Sequence, residues 1–123
     1  MGSFRVEVSH DSSALAPFRR RLDGWLKERG LSDPPRAEVV LASHEALANA
    51  IEHSASSMPV LVTAEERKDG FVVEIVDRGN WKPRRAEPDE ERGRGLAMIK
   101  ALVSDVRITL RAQGTTIRLF QET

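Results

Sequence analysis

The sequence predicts an α/β domain of the α+β kind: a two-layer sandwich with three helices on one face of a mixed, largely antiparallel five-stranded sheet. Three observations carry that prediction. Apolar residues recur at helical spacing in three segments and in alternation in five. The segments follow the order β-α-α-β-β-α-β-β, and strands joined by tight turns pair antiparallel. Three amphipathic helices need one shared surface to cover, and a sheet supplies it.

Phe4, Val6 and Val8 alternate with Arg5, Glu7 and Ser9, the pattern of a half-buried strand over 4–9. Asp11 and Ser12 offer an N-cap. Leu15, Phe18, Leu22, Trp25 and Leu26 then mark a helix over 12–29, with Gly30 as its stop. Asp33-Pro34-Pro35 opens a second helix that continues to Ser54, proline being tolerated in a first turn. Val39, Val40, Ala42, Leu47, Ala50 and Ile51 supply its apolar side. Residues 58–66 and 71–77 read as strands joined by a turn at Lys68-Asp69-Gly70. The segment 78–92, with Gly79, Asn80, Pro83, Pro88 and many charges, reads as a loop. Leu96, Met98, Ile99, Leu102 and Val103 mark a third helix beginning near Gly93–Gly95. Val106, Ile108 and Leu110, then Ile117 and Leu119, form the last two strands around a turn at Gln113-Gly114.

The 123 residues make one domain, 1–123, with Met1-Gly2-Ser3 compatible with an expression scar. An apolar fraction of 40% and a charged fraction of 31% are those of a globular protein. Nineteen basic residues balance nineteen acidic ones, so global charge argues for neither a nucleic-acid nor an anionic-membrane partner. The absence of cysteine removes disulfide, thiolate and Cys-zinc chemistry and fits a cytoplasmic location. No apolar run approaches the roughly 20 residues that span a bilayer, and the N-terminus lacks the pattern of a signal peptide.

Four segments carry residues suited to chemistry. In the second helix Glu45 and Asn49 are four apart and share one face, and His53 extends the row. Ala42, Ala46 and Ala50 beside them leave room for a ligand or for a close helix. A carboxylate and an amide suit a proton acceptor and a Mg²⁺ ligand; a solvated helix stripe accounts for the same residues. Alternation in 71–77 puts Val73, Ile75 and Asp77 on one face and Val72, Glu74 and Val76 on the other, and phase alone leaves open which faces inward. Turned inward, Asp77 would be a carboxylate at the rim of an apolar pocket, costly unless it accepts strong hydrogen bonds. An adenine amino group supplies one, whereas guanine presents a carbonyl. As a turn former before Gly79, Asp77 would need no ligand. Gly93-Arg94-Gly95-Leu96 places two glycines at the expected start of the third helix, where backbone N–H groups suit phosphate. It is neither a Walker A loop nor a Rossmann fingerprint. Thr115 is in phase with Ile117 and Leu119, so its hydroxyl shares whatever face they take, although threonine is also simply common in strands.

In order and spacing these segments resemble the motifs of GHKL ATPases. Glu45-x-x-x-Asn49-Ala50-x-x-His53 resembles the N-box, and Asp77-x-Gly79 resembles the first glycine box. Gly93-x-Gly95-Leu96-x-x-Ile99-Lys100 resembles the second, and Gly114-Thr115-Thr116 the final Gly-Thr motif. The short spacing, and residues 95–102 followed by Asp105-Val106, are similar to the bacterial anti-sigma-factor serine/threonine kinases of partner-switching systems. The resemblance covers about 4–121.

That resemblance implies ATP and Mg²⁺ as cofactors. It makes Asn49 the Mg²⁺ ligand and Glu45 the general base or orienting group for a protein serine. Asp77 would read the adenine amino group, with Gly79 allowing close backbone approach. Gly93, Arg94, Gly95 and Leu96 would frame the phosphates, Thr115 or Thr116 would complete the adenine pocket through water, and His53 belongs to the nucleotide-binding set. It implies a STAS-type anti-sigma-factor antagonist as substrate, a sequestered sigma factor and a homodimer, with neither nucleic acid nor membrane contacted directly. Two departures stand out. The first glycine box reads Asp77-Arg78-Gly79-Asn80-Trp81, without a second glycine, and Trp81 suits stacking on a nucleotide or partner as well as loop packing. The lid at 80–92 is short and, with Arg94 just beyond it, holds Arg84, Arg85 and Arg92, which suit a transferring phosphoryl group or a solvated loop. Three other identities fit parts of the pattern: a nucleotide-binding anti-sigma module without turnover, a histidine-kinase catalytic domain, and the kinase-like piece of a multidomain phosphatase/kinase regulator.

Overall fold

The computed structural model describes residues 3–53, 57–78, 90–112 and 114–123, with backbone only for 90–95. Gly79, Asn80 and Trp81, the lid arginines Arg84 and Arg85, and Gln113 of the last turn lie outside the described residues. The described chain runs β1 (Phe4–Val8), a 3₁₀ turn (Ser12–Ala14), α1 (Leu15–Glu28), α2 (Pro35–His53), β2 (Val60–Arg67), β3 (Gly70–Arg78), α3 (Glu90–Leu102), β4 (Asp105–Arg111) and β5 (Gly114–Glu122). The predicted order of elements is the observed one.

Local chemistry explains where the first elements begin and end. Asp11 Oδ1 accepts from the Ser13 amide at 2.9 Å, which caps the 3₁₀ turn and holds the Asp11 carboxyl below its ordinary range. Phe18, Leu22 and Leu26 fall four apart on α1 and are buried. Gly30, at φ 87°, ends the helix in a Schellman arrangement: its amide donates to Lys27 O and that of Leu31 donates to Leu26 O. Leu31 and Leu26 are both buried, as that motif favours. Asp33 Oδ1 accepts from the Ala37 amide in the first turn of α2. Arg36 reaches back to Asp23 at 3.0 Å and to Leu31 O at 2.9 Å, which fixes the turn between α1 and α2.

The five strands form one sheet in the order β1-β2-β3-β5-β4. All four pairings among the described residues are antiparallel, so the sheet there is antiparallel throughout and lacks the mixed character expected from sequence. α3 carries the chain from β3 across to β4 at the edge, and β5 then returns between them, antiparallel to both, so two strands that run the same way are never paired. On the helix-covered face, Val6, Val62, Ile75 and Ile117 stand in register across four strands. Phe4, Trp25 and Phe71 form an aromatic chain between α1 and the sheet: Phe4 is tilted against Trp25 at 6.1 Å, and Trp25 meets Phe71 edge-on at 5.9 Å. On the opposite face Glu74 and Arg118 face each other across β3 and β5 and form an ion pair at 3.4 Å.

α2 lies against α1, α3 and the sheet. Its close approach follows from small side chains: Ala42, Ser43, Ala46 and Ala50 are all buried. Gln121 ties three elements together, accepting from the Ser104 amide at 3.1 Å and donating to Pro35 O at 3.3 Å.

One boundary differs materially from expectation. α3 begins at Glu90, not near Gly93–Gly95, so both glycines lie within its first two turns. Glutamate and arginine are strong helix formers, and a glycine costs only about 1 kcal/mol relative to alanine in a helix. The segment Glu90-Glu91-Arg92 therefore starts the helix ahead of them.

Candidate functional site

The antiparallel register settles the phase that the sequence left open in β3. Val73 pairs with Ala64 and Leu119, and Ile75 with Val62 and Ile117, all on the helix-covered side. Asp77 therefore faces the same way and is only 8% exposed. Across β5 its partner is Thr115, also 8% exposed, and Thr115 in turn pairs with Leu110 of β4. Asp77, Thr115 and Leu110 thus form one row across three strands. Ile75, Ile117 and Ile108 form the next.

These two rows make the sheet side of a cleft of about 220 Å³. Its helix side is Ala46, Asn49 and Ala50 of α2, with Leu96 of α3. Each part follows from its element. α2 contributes two alanines, which leave space, and one amide a single residue from the second of them. The sheet contributes branched apolar chains with a carboxylate and a hydroxyl at one end. The Thr115 Oγ1 is buried and has no hydrogen-bond partner among the described residues. A buried hydroxyl without a partner costs about 1–3 kcal/mol, which a ligand or an ordered water would recover. An apolar slot ended by a buried carboxylate and a hydroxyl suits a flat heterocycle bearing an amino group.

Of the residues singled out in the sequence, Asn49, Asp77, Leu96 and Thr115 come together in this cleft. Thr116 does not: strand alternation turns it to the other face, opposite Val76 and Thr109. Of the two threonines, Thr115 is the pocket residue. Glu45 lies one turn before Asn49, half-buried, outside the lining of the cleft. His53 sits at the end of α2, half-buried, with Nε2 3.7 Å from Glu52 Oε2. Gly93, Arg94 and Gly95 are in α3, where only backbone is described, and Gly79 is outside the described residues.

Two features were missed in the sequence. Ile108 and Leu110 line the cleft although β4 is an edge strand; their alternation was visible but gave no sign of which sheet neighbour they would meet. The second is a contact between Arg19 of α1 and His44 of α2, with Arg19 Nη1 3.1 Å from His44 Nδ1. Arginine only donates, so Nδ1 accepts and His44 is neutral with its proton on Nε2. Burial lowers the His44 pKa from 6.5, Arg19 lowers it further, and Glu45 opposes the shift.

Residues 8–120 match the family model described as a histidine kinase-like ATPase domain. The chain belongs to that family. The match agrees with the GHKL resemblance of the four sequence motifs, and an ATPase domain of this type implies ATP as the ligand. Among solved structures, one containing the RsbU and RsbW domains of Rv1364c from Mycobacterium tuberculosis superposes with a TM-score of 0.82 at 29% identity. The superposition covers 99% of this chain and 32% of that one, so the histidine kinase-like ATPase domain seen here spans about a third of its neighbour's length. The cleft fits an adenine nucleotide on its own chemistry: Asp77 offers the acceptor, Thr115 the unpaired hydroxyl and the two alanines the space. Among the described residues no helix is long and apolar enough to cross a membrane.

Proposed function

We propose that this domain is an ATP-dependent protein serine/threonine kinase and anti-sigma factor that phosphorylates a STAS-type antagonist. The observation that carries the proposal is the convergence of Asn49 from α2 and Asp77 from β3 on one cleft, 28 positions apart in sequence. The likeness to a chain holding an RsbW domain supports the choice of partner class. Asp77 accepts from the adenine amino group and Thr115 completes that end of the pocket. Asn49 would hold Mg²⁺ through its amide oxygen, and the bound ion would supply neutralisation of phosphate charge.

Phosphoryl transfer asks for positioning and electrostatic stabilisation more than for covalent chemistry. The serine hydroxyl of the antagonist takes the γ-phosphoryl group, the bond to the ADP oxygen breaks, and the hydroxyl proton passes to Glu45. A carboxylate is a weak base for a serine hydroxyl, so Glu45 chiefly orients it and takes the proton late. Its place one helical turn from Asn49, outside the lining of the cleft, supports reading it as a contact to the protein substrate and not to the base.

The test is Glu45→Ala, assayed for ATP binding by calorimetry and for transfer of labelled phosphate to a STAS-type antagonist. ATP binding retained with phosphorylation lost is the expected result. Undiminished phosphorylation would remove Glu45 from the mechanism. ATP binding with no transfer by the unaltered domain would favour an anti-sigma module without turnover. The neighbour that joins RsbU and RsbW domains in one chain favours a second setting for the same chemistry, as one piece of a multidomain phosphatase/kinase regulator.

A further inference from the structure

Asp77 explains a preference for adenine over guanine, but it leaves another distinction unmade. Cytosine carries an exocyclic amino group too, and a carboxylate accepts from either. Whatever separates a purine from a pyrimidine must lie further from Asp77, along the direction in which a second ring extends the base.

The cross-strand row provides that position. Asp77, Thr115 and Leu110 stand side by side on β3, β5 and β4. Neighbouring strands are about 4.8 Å apart, so Leu110 lies roughly 10 Å from Asp77 along the sheet. Exposure changes sharply along the row: Asp77 and Thr115 are each 8% exposed, and Leu110 is 66% exposed. Leu110 lines the cleft, yet it is the most exposed large apolar side chain among the described residues. It stands at the mouth, on an edge strand, with Ile108 beside it at 39%. An apolar side chain left in water beside an apolar slot is stabilised by whatever planar surface covers it.

We propose that Leu110 is the residue by which this site selects a purine over a pyrimidine nucleotide. The proposal rests on the reading of the cleft as an adenine-nucleotide site. Held at Asp77 by its amino group, adenine extends its second ring along the row onto Leu110 and removes that side chain from water. Cytosine held by the same group ends short of Leu110 and brings the hydrated ribose towards it, so the leucine gains little. Asp77 then sets which purine is bound, and Leu110 sets that it is a purine.

The test is a calorimetric titration of the whole chain and of Leu110→Asn and Leu110→Met with Mg·ATP and with Mg·CTP. The unaltered domain prefers ATP by about tenfold or more, the scale set by burying most of one leucine. Leu110→Asn loses about tenfold in ATP affinity, keeps its CTP affinity, and so loses the preference. Leu110→Met, which keeps the apolar surface, retains it. The thermal midpoint stays unchanged in both, because the side chain is already exposed. An ATP-to-CTP ratio unchanged in Leu110→Asn would overturn the proposal, and so would an equal loss for both nucleotides. If the unaltered domain bound neither nucleotide, the adenine-site reading itself would fall, and that outcome is read before any variant is made.

Discussion

Asp77 and Thr115 face each other across β3 and β5, both buried, at one end of a cleft whose sheet side is otherwise apolar. The Thr115 hydroxyl has no partner among the described residues, and that has two consequences of opposite sign. Thr115→Val keeps the β-branched shape and removes an unsatisfied group. The variant should be more stable by about 1 kcal/mol, a rise of about 3–6 °C in thermal midpoint for a domain of this size. The same change should weaken ATP binding about tenfold, because the hydroxyl is then missing from the adenine pocket. Scanning calorimetry with and without ATP checks both. A lower midpoint in the absence of nucleotide would show that Thr115 is held by the fold rather than kept for a ligand.

Gly114 makes that pairing possible. It stands opposite Arg78 at φ 150°, and a Cβ there would overlap the carbonyl oxygen of Asp77. Gly114→Ala should therefore push β5 from β3 at the site itself and cost about 3 kcal/mol. ATP binding should fall with it. Chemical denaturation measures the first and titration the second; a variant as stable as the parent would mean that the strands part without cost.

Asn49 enters the cleft from α2 and is half-buried. If it holds Mg²⁺, Asn49→Ala should lose most of the gain in ATP affinity that Mg²⁺ provides and little of the affinity measured in a chelator. Titrations in the two conditions separate these. An equal loss in both would make Asn49 a direct contact to the nucleotide.

His44 gives the fold a pH dependence whose sign follows from its environment. Burial, then Arg19, hold its pKa below the ordinary 6.5, with Glu45 opposing. The unfolded chain therefore binds the proton more readily than the folded one. This contribution to stability is complete above pH 6.5 and is lost as pH falls through the depressed value. Protonation also costs Nδ1 its role as acceptor for Arg19. His44→Gln should flatten that part of the curve of thermal midpoint against pH. Parallel curves for parent and variant would show that the Arg19–His44 contact contributes nothing.

Much of this was legible in the sequence because local signals agreed with the fold. The order of elements, the glycine stop at Gly30 and the hairpin turn at Lys68-Asp69 each rest on residues near in sequence. So does the N-box row, from which Asn49 was read. What sequence left open depends on partners far along the chain. Both faces of β3 carry valines, and only its register with β2 and β5 turns Asp77 inward. Thr115 and Thr116 are equally good strand residues until β5 is paired. Ile108 and Leu110 join the site because β5 returns between β3 and β4, an order no local pattern encodes. The start of α3 differs for the opposite reason: two glycines read locally as a helix boundary, yet each costs only about 1 kcal/mol inside a helix, and Glu90-Glu91-Arg92 begins it ahead of them.

The most direct measurement is isothermal titration of the domain with ATP, with and without Mg²⁺, and with GTP as the comparison. Asp77 facing the cleft predicts binding of ATP and no comparable binding of GTP, whose base would set a carbonyl against that carboxylate, and Asn49 as the metal ligand predicts that the binding depends on Mg²⁺. Equal binding of ATP and GTP, or no binding by a domain shown to be folded, would contradict it and leave the cleft without the role assigned to it.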